Sequence, residues 1–280
     1  MPVLSKGPLR IDYTDDGAGD PVVLVHSSVS SNCQWRALTE MLKDAYRVLA
    51  INLYGYGQTT PWPGTAPQPL HAQAELVLAL CEELKRPVHL VGHSFGGLVA
   101  LKAAMRARRR IASLVLFEPN PAHLLKQAGR IAAYLDARAL FDHVKTHGAL
   151  GDWERLAEYF ADYWLGAGAW SAMPERRRAA FVQSIPPVFY ECDAVMGEET
   201  TIAECAAVTA RALVLSDVTT RPSIREIVDL LAAACPHWAF RTVSAGGHMA
   251  PLARPDIVNP IIREFLDAGA REEDKKQRAA

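Results

Sequence analysis

VHLVGHSFGGLVALKAAM, residues 88–105, runs from a β-branched apolar segment into a helix-forming one through Gly92-His93-Ser94-Phe95-Gly96. Val88–Val91 reads as a buried strand and Phe95–Ala107 as a helix. A G-x-S-x-G pentapeptide is a weak pattern by itself and a specific one between a strand and a helix. A serine forced into so tight a turn needs glycine on both flanks, because a side chain there would collide with the neighbouring strand or helix. The turn then holds the Ser94 oxygen at the positive end of the helix, where backbone N–H groups stabilise an oxyanion. A glycine-rich turn with a bystander serine is the competing reading, and the flanking elements count against it.

The same rhythm extends on both sides. Val22–His26, Arg47–Asn52 and Leu114–Phe117 are further strands; Gln34–Lys43 and Pro69–Lys85 are helices long enough for right-handed crossovers in a mostly parallel sheet. Leu9–Tyr13 is expected to start an antiparallel edge. From Pro121 to Cys205 the pattern breaks into helical stretches rich in Ala, Arg and aromatics, including Tyr134, Phe160, Trp164, Trp170 and Phe181. Ala212–Ser216 and Trp238–Val243 resume the strands, with helices at Ser223–Ala234 and Asp256–Ala268. The expected division is a core in two parts, 1–120 and 206–270, a helical insertion at 121–205, and a charged, flexible tail at 271–280.

Composition narrows the function. The chain has 280 residues, half of them hydrophobic, and 30 basic against 31 acidic side chains for a net charge of −1. That is enough chain for a full core, and it lacks the basic field of a nucleic-acid binder or a reason to favour a membrane surface. The partner expected is a small-molecule substrate, with no nucleic acid and no membrane, for a monomer or homodimer. The five cysteines are scattered without a C-x-x-C pair, so they read as buried reduced thiols rather than zinc ligands or disulfides. No apolar run approaches a membrane span and MPVLSKGPLR lacks a signal-peptide core, giving a cytoplasmic expectation.

An activated serine needs a base, and among nine histidines the best placed is His248, in Ala245-Gly246-Gly247-His248-Met249-Ala250-Pro251 after the last strand. His93 should point away from Ser94 on the turn, and His26 at a strand end should hold a loop. His143 and His147 stand four apart, but HVKTH lacks the glutamate of a zinc-protease helix, so no metal site is expected.

VVLVHSS (22–28), NLYGYG (52–57), GHSFGG (92–97) and GGHMAP (246–251), in that order, resemble the α/β-hydrolase superfamily over nearly the whole chain apart from the insertion and tail. The resemblance implies a predominantly parallel eight-stranded sheet flanked by helices, with a helical cap between the sixth and seventh strands, where the aromatic insertion falls. It implies the chain order nucleophile, acid, histidine, and hydrolysis without metal or organic cofactor. By position it assigns the oxyanion hole to the N–H groups of Phe95 and Ser28.

Two departures stand out. Many members have His-Gly after the third strand, where this chain has His26-Ser27-Ser28; where related members often carry Asp, Asn52 opens the next loop, in an expected structural role. The larger departure is the triad acid, which in most members follows the seventh strand; here Thr220 occupies that place in Asp217-Val218-Thr219-Thr220-Arg221-Pro222. Glu118, in LVLFEP after the sixth strand, and Asp217 are the two replacements. Some haloalkane dehalogenases of the superfamily take their acid from the end of that sixth strand, which favours Glu118 with Asp217 as the alternative. Ser27, Trp35, Trp164 and Met249 are expected to contact substrate, although an aromatic stripe is more often the mark of core packing. The expected activity is hydrolysis of a small ester through an acyl-enzyme on Ser94. A lactonase, thioesterase or carbon–carbon bond hydrolase would carry the same motifs, and a ligand-binding protein without turnover is the alternative of another class.

Overall fold

The computed structural model describes residues 2–279, with side chains as far as Arg271. Its strands are β1 (Val3–Lys6), β2 (Leu9–Gly17), β3 (Asp20–Val25), β4 (Tyr46–Ile51), β5 (Val88–His93), β6 (Ile111–Phe117), β7 (Arg211–Asp217) and β8 (Ala239–Val243). They form one eight-stranded sheet in the order β1-β2-β4-β3-β5-β6-β7-β8. β2 pairs antiparallel with β1 and β4, and all remaining pairs are parallel.

Strands buried on both faces read as continuous apolar runs, and their period of two divides the side chains between two cores. Val23 and Val25, Leu49 and Ile51, and Leu114 and Leu116 join one cluster; Val22 and Leu24, Val48 and Ala50, and Val115 and Phe117 join the other. Helices α1 (Arg36–Leu42), α2 (Leu70–Leu84) and α3 (Phe95–Arg106) cover the first part of the sheet. Between β6 and β7 lie α4 (His123–Gln127), α5 (Ile131–Ala149), α6 (Trp153–Leu165), α7 (Ala169–Ala172), α8 (Glu175–Ser184), α9 (Val188–Met196) and α10 (Ile202–Ala206), which form the cap. The core closes with α11 (Pro222–Ala234), α12 (Ala250–Ala253) and α13 (Pro255–Ala279). The expected frayed tail falls on residues whose side chains, from Glu272 onward, lie outside those described.

Three readings of the sequence change. β1, which the sequence reading missed, is a four-residue edge strand too short for its own periodicity. Pairing with β4 extends β2 to Gly17, past Tyr13. Cys33 is exposed while the other four cysteines are buried, because it sits in the 3-10 turn Asn32–Trp35, whose inward positions belong to Asn32 and Trp35. Among the described residues no helix is long and apolar enough to cross a membrane.

The strand order reverses between β3 and β5: the chain steps from β3 outward to β4 and then back to the other side of β3. Such a switch point leaves a crevice outside the carboxyl ends of the parallel strands. The loops leaving β3, β5, β6 and β8 carry His26-Ser27-Ser28, Ser94, Glu118 and His248 to that side of the sheet.

Candidate active site

Ser94 takes φ 55 and ψ −120 between β5 and α3. That region is costly for a residue with a side chain, and it holds here because the surroundings fix the backbone. The Ser94 N–H donates to the Phe117 carbonyl at 2.9 Å, tying the turn to β6. A Cβ on Gly92 would meet the Gly97 Cα at 2.7 Å, and one on Gly96 would overlap the carbonyl oxygens of Val25 and His26. Both flanks therefore require glycine for the steric reason inferred from the spacing. The Phe95 N–H, in the first turn of α3, belongs to the groups that have no acceptor within their own helix.

His248 Nε2 lies 2.8 Å from Ser94 Oγ, and His248 Nδ1 lies 2.6 Å from Glu118 Oε2. The carboxylate accepts from Nδ1–H, which leaves Nε2 free to accept from the serine hydroxyl. All three side chains are buried. Glu118 also has a positive φ, 45, and its N–H donates to the Leu215 carbonyl at 2.9 Å. Its second oxygen, Oε1, accepts from the Asp217 N–H at 2.8 Å.

Asp217 has other work. Its carboxylate accepts from the Ala245 N–H at 2.6 Å and from the Thr219 N–H and hydroxyl at 2.8 and 2.7 Å. Burial pushes its pKa up, but the Thr219 donors and the Ala245 and Gly247 N–H groups outweigh that and hold it below the ordinary carboxylate value. Asp217 thus braces the loop that leads from β8 to His248. Thr220, at the usual acid position, is buried, and next to it Arg221 anchors the cap. Arg221 pairs with Asp136 of α5 at 2.7 Å, donates to the Tyr163 carbonyl at 3.0 Å and lies 3.6 Å from the centre of the Tyr163 ring.

A second layer of polar contacts supports His248 and the β3 loop. His93 Nε2 donates to the His248 carbonyl at 2.8 Å, so His93 Nδ1 accepts from Gln34 Nε2 at 3.2 Å. Gln34 Oε1 in turn accepts from the Ser27 N–H and hydroxyl at 3.0 and 2.9 Å. Burial holds His93 well below the ordinary imidazole value, and the neighbouring His248 pushes the same way. His26 is held at about 4 by burial, against the opposing pull of the Ser27 carbonyl. Its Nδ1 donates to that carbonyl at 2.7 Å and its Nε2 accepts from the Leu53 N–H at 3.1 Å, so it holds the loop as expected. Asn52 joins loops too, accepting from the Asn32 N–H and donating to Asp12, each at 2.8 Å.

Ser94 and His248 border a cavity of about 550 Å3 that the cap covers. Ser27, Ser28, Trp164 and Met249 line it, as does the cap residue Arg177. Trp164 stacks on the His248 imidazole with ring centres 4.0 Å apart and planes at 21°. Trp35 is elsewhere: the turn preceding α1 points it into the second core cluster, with Leu24 and Leu38, and it is 1% exposed. His143 stacks on Tyr159 and lies tilted against His147, and no group of three or more metal-ligating side chains is found among the described residues.

The sequence reading passed over Gln34, Arg221 and Glu191. Glu191, on α9 of the cap, accepts from the Ser28 hydroxyl at 2.5 Å across 163 residues of chain, a contact that no local pattern announces.

A serine on a strand-to-helix turn, facing a histidine and a carboxylate under a helical cap, defines a class of α/β proteins built for nucleophilic chemistry. The chain belongs to the alpha/beta hydrolase family, whose family model matches residues 22–261. It is 24% identical over 263 residues to the (E)-2-((N-methylformamido)methylene)succinate hydrolase of Acinetobacter baylyi, covering 91% of this chain and 93% of that one. It is 37% identical over 119 residues to the 2-hydroxy-6-oxo-2,4-heptadienoate hydrolase of Pseudomonas putida, 39% of this chain and 41% of that one. The match spans less than half the length of several other curated relatives as well. Among solved structures, the enol-lactonase from Burkholderia xenovorans LB400 superposes with a TM-score of 0.79 at 20% identity, over 95% of this chain and 100% of that one, a likeness of fold.

Proposed function

We propose that the protein is a serine hydrolase that cleaves a small ester through an acyl-enzyme on Ser94, with His248 as general base and Glu118 as the acid that orients it. The observation that carries this reading is the unbroken line Ser94 Oγ, His248 Nε2, His248 Nδ1, Glu118 Oε2, with steps of 2.8 and 2.6 Å between partners, at the wall of a substrate-sized cavity.

In the first half-reaction His248 takes the serine proton as Ser94 Oγ attacks the carbonyl. The N–H groups of Phe95 and Ser28 receive the oxyanion, and the imidazolium then gives its proton to the leaving oxygen. Water repeats the sequence and releases the acid. Glu118 stays ionised throughout; it fixes the tautomer and stabilises the imidazolium. The Trp164 face adds to that stabilisation, since a stacked indole favours a cation and excludes water. A serine in place of a carboxylate nucleophile argues against dehalogenase or epoxide hydrolase chemistry. A lactone opens by the same steps, and the name of the Burkholderia xenovorans neighbour makes it the second bond to screen.

The test is intact mass after treatment with a fluorophosphonate, on the wild type and on Ser94→Ala, followed by short-chain aryl esters. One stoichiometric adduct that the variant lacks, with turnover lost in the same variant, is the expected result. A folded wild type that takes no adduct and turns over no ester would overturn the reading in favour of a ligand-binding protein.

A further inference from the structure

A second, smaller cavity of about 20 Å3 adjoins the first and shares Ser28, Ser94, Phe160 and Trp164 with it. That volume admits one water or one small substituent. Its remaining walls are mainly apolar, among them Leu140, Phe141 and Val188, yet they include the polar side chains Glu191 and Asn120. Each carries a buried oxygen, Glu191 Oε1 and Asn120 Oδ1, that makes no hydrogen bond within the protein. Glu191 is 2% exposed, its Oε2 already accepts from Ser28, and Lys145 on the facing helix α5 is taken by Asp193 at 2.9 Å. A carboxyl group buried this way costs free energy unless something completes its hydrogen bonding.

The chemistry of the pair selects the completing group. Burial pushes Glu191 up to about 7, against the hydroxyls of Ser28 and Tyr56, so around neutrality a large fraction of the molecules carry its proton. A neutral carboxyl donates one hydrogen bond, whereas the amide oxygen of Asn120 only accepts. A water molecule can accept from the first while donating to the second, and a hydroxyl group is the substrate substituent that does the same and so can take that water's place. An ammonium group would lack a carboxylate partner whenever Glu191 is protonated, and a methyl group would leave both oxygens unpaired.

We propose that the inner cavity is an acyl-side subsite for a hydroxyl-bearing substrate, in which Glu191 and Asn120 bind a hydroxyl carried close to the carbonyl that Ser94 attacks. The inference rests on Ser94 as nucleophile and deepens that reading to the class of hydroxy-acyl esters. Glu191 is then a specificity determinant contributed by the cap, joined to the Ser28 loop by its other oxygen.

The experiment compares kcat/KM for phenyl butanoate with its 2-hydroxy and 3-hydroxy counterparts, which share a leaving group. The wild type should prefer at least one hydroxy ester by about tenfold or more, a modest share of what a site built around a substrate hydroxyl can discriminate. Glu191→Met should abolish that preference, and Glu191→Gln, which keeps a donor, should retain part of it. Ser28→Ala cuts the same cap-to-core contact from the other side; it should slow all three esters together and leave the ratio in place. A wild-type ratio within about twofold of unity overturns the proposal, and needs no variant to read. So does a preference that survives Glu191→Met, or one that collapses equally in Ser28→Ala, which would make Glu191 a brace for the loop alone. Turnover of butanoate without preference sinks only the subsite, whereas no turnover and no fluorophosphonate adduct sinks the hydrolase reading with it.

Discussion

Glu118 and Asp217, the two carboxylates that compete in the sequence for the role of triad acid, are hydrogen-bonded to each other: the Asp217 N–H donates to Glu118 Oε1 at 2.8 Å. Asp217 therefore contributes its backbone to the site and turns its carboxylate toward Ala245 and Thr219. The adjacent ends of β6 and β7 divide between them the contact to the His248 ring and the contacts that fix the loop carrying it.

Glu118→Gln should lower kcat by about three to four orders of magnitude, because an amide opposite Nδ1 stabilises the wrong tautomer and no imidazolium. Asp217→Asn should cost about 1 to 3 kcal/mol of stability, read as a lower denaturant midpoint, and change kcat far less. Steady-state kinetics beside denaturant titration of both variants separates the roles; a kcat collapse confined to Asp217→Asn would reverse the assignment.

Gly96→Ala puts a methyl group on the carbonyl oxygens of Val25 and His26, which cannot retreat without moving the β3 loop and its Ser28 N–H. We expect a loss of at least about 3 kcal/mol, or no folded protein, by comparison with overpacking elsewhere. Gly64→Ala is the control: Gly64 has φ +76 with nothing within 4 Å of the added carbon, so the change should cost only about 1 kcal/mol. Thermal melts of the two variants would decide the comparison.

Trp164→Ala removes the ring stacked on His248 and opens the base to water. A fall in kcat of about ten- to a hundredfold is expected, from a cation–π contribution of about 1 to 2 kcal/mol and lost shielding. Trp164→Phe should restore most of it. If Trp164→Ala raised KM and left kcat unchanged, Trp164 would serve binding alone.

Stability should fall with acid through the buried imidazoles, His26 and His89 among them. Burial lowers His26 and His89 to about 4 from an ordinary 6.5. As pH drops below 6.5 the unfolded chain takes up these protons first, so their contribution is complete above 6.5 and lost progressively toward about 4. At pH 5 that is about 2 kcal/mol for each imidazole. His89 sits away from Ser94, His248 and Glu118, with Nδ1 2.8 Å from Ser113 Oγ. His89→Gln should therefore flatten part of the slope of unfolding free energy between pH 7.5 and 5, and an unchanged slope would count against the assignment.

Local pattern carried the reading of the sequence as far as local physics reaches. The strand-to-helix turn at Ser94, the glycine loop at His248 and the apolar runs of β3 to β7 are written in consecutive residues. Their causes are steric exclusion at Gly92 and Gly96 and period-two burial, and these act over a few residues. The edge strand β1 was invisible because four residues with one partner carry no periodic signal.

Sequence by itself determined the sheet-and-helix architecture and singled out Ser94 and His248 as the pair to propose as nucleophile and base. Tertiary structure alone decided which carboxylate meets His248, that Trp164 and not Trp35 covers the site, and that a glutamate from the cap reaches Ser28. The reason is distance along the chain. Contacts spanning 130 and 163 residues are fixed by strand order and by how the cap settles on the sheet. Two tryptophans on helical segments look alike until packing sends one into the core and the other onto the His248 ring.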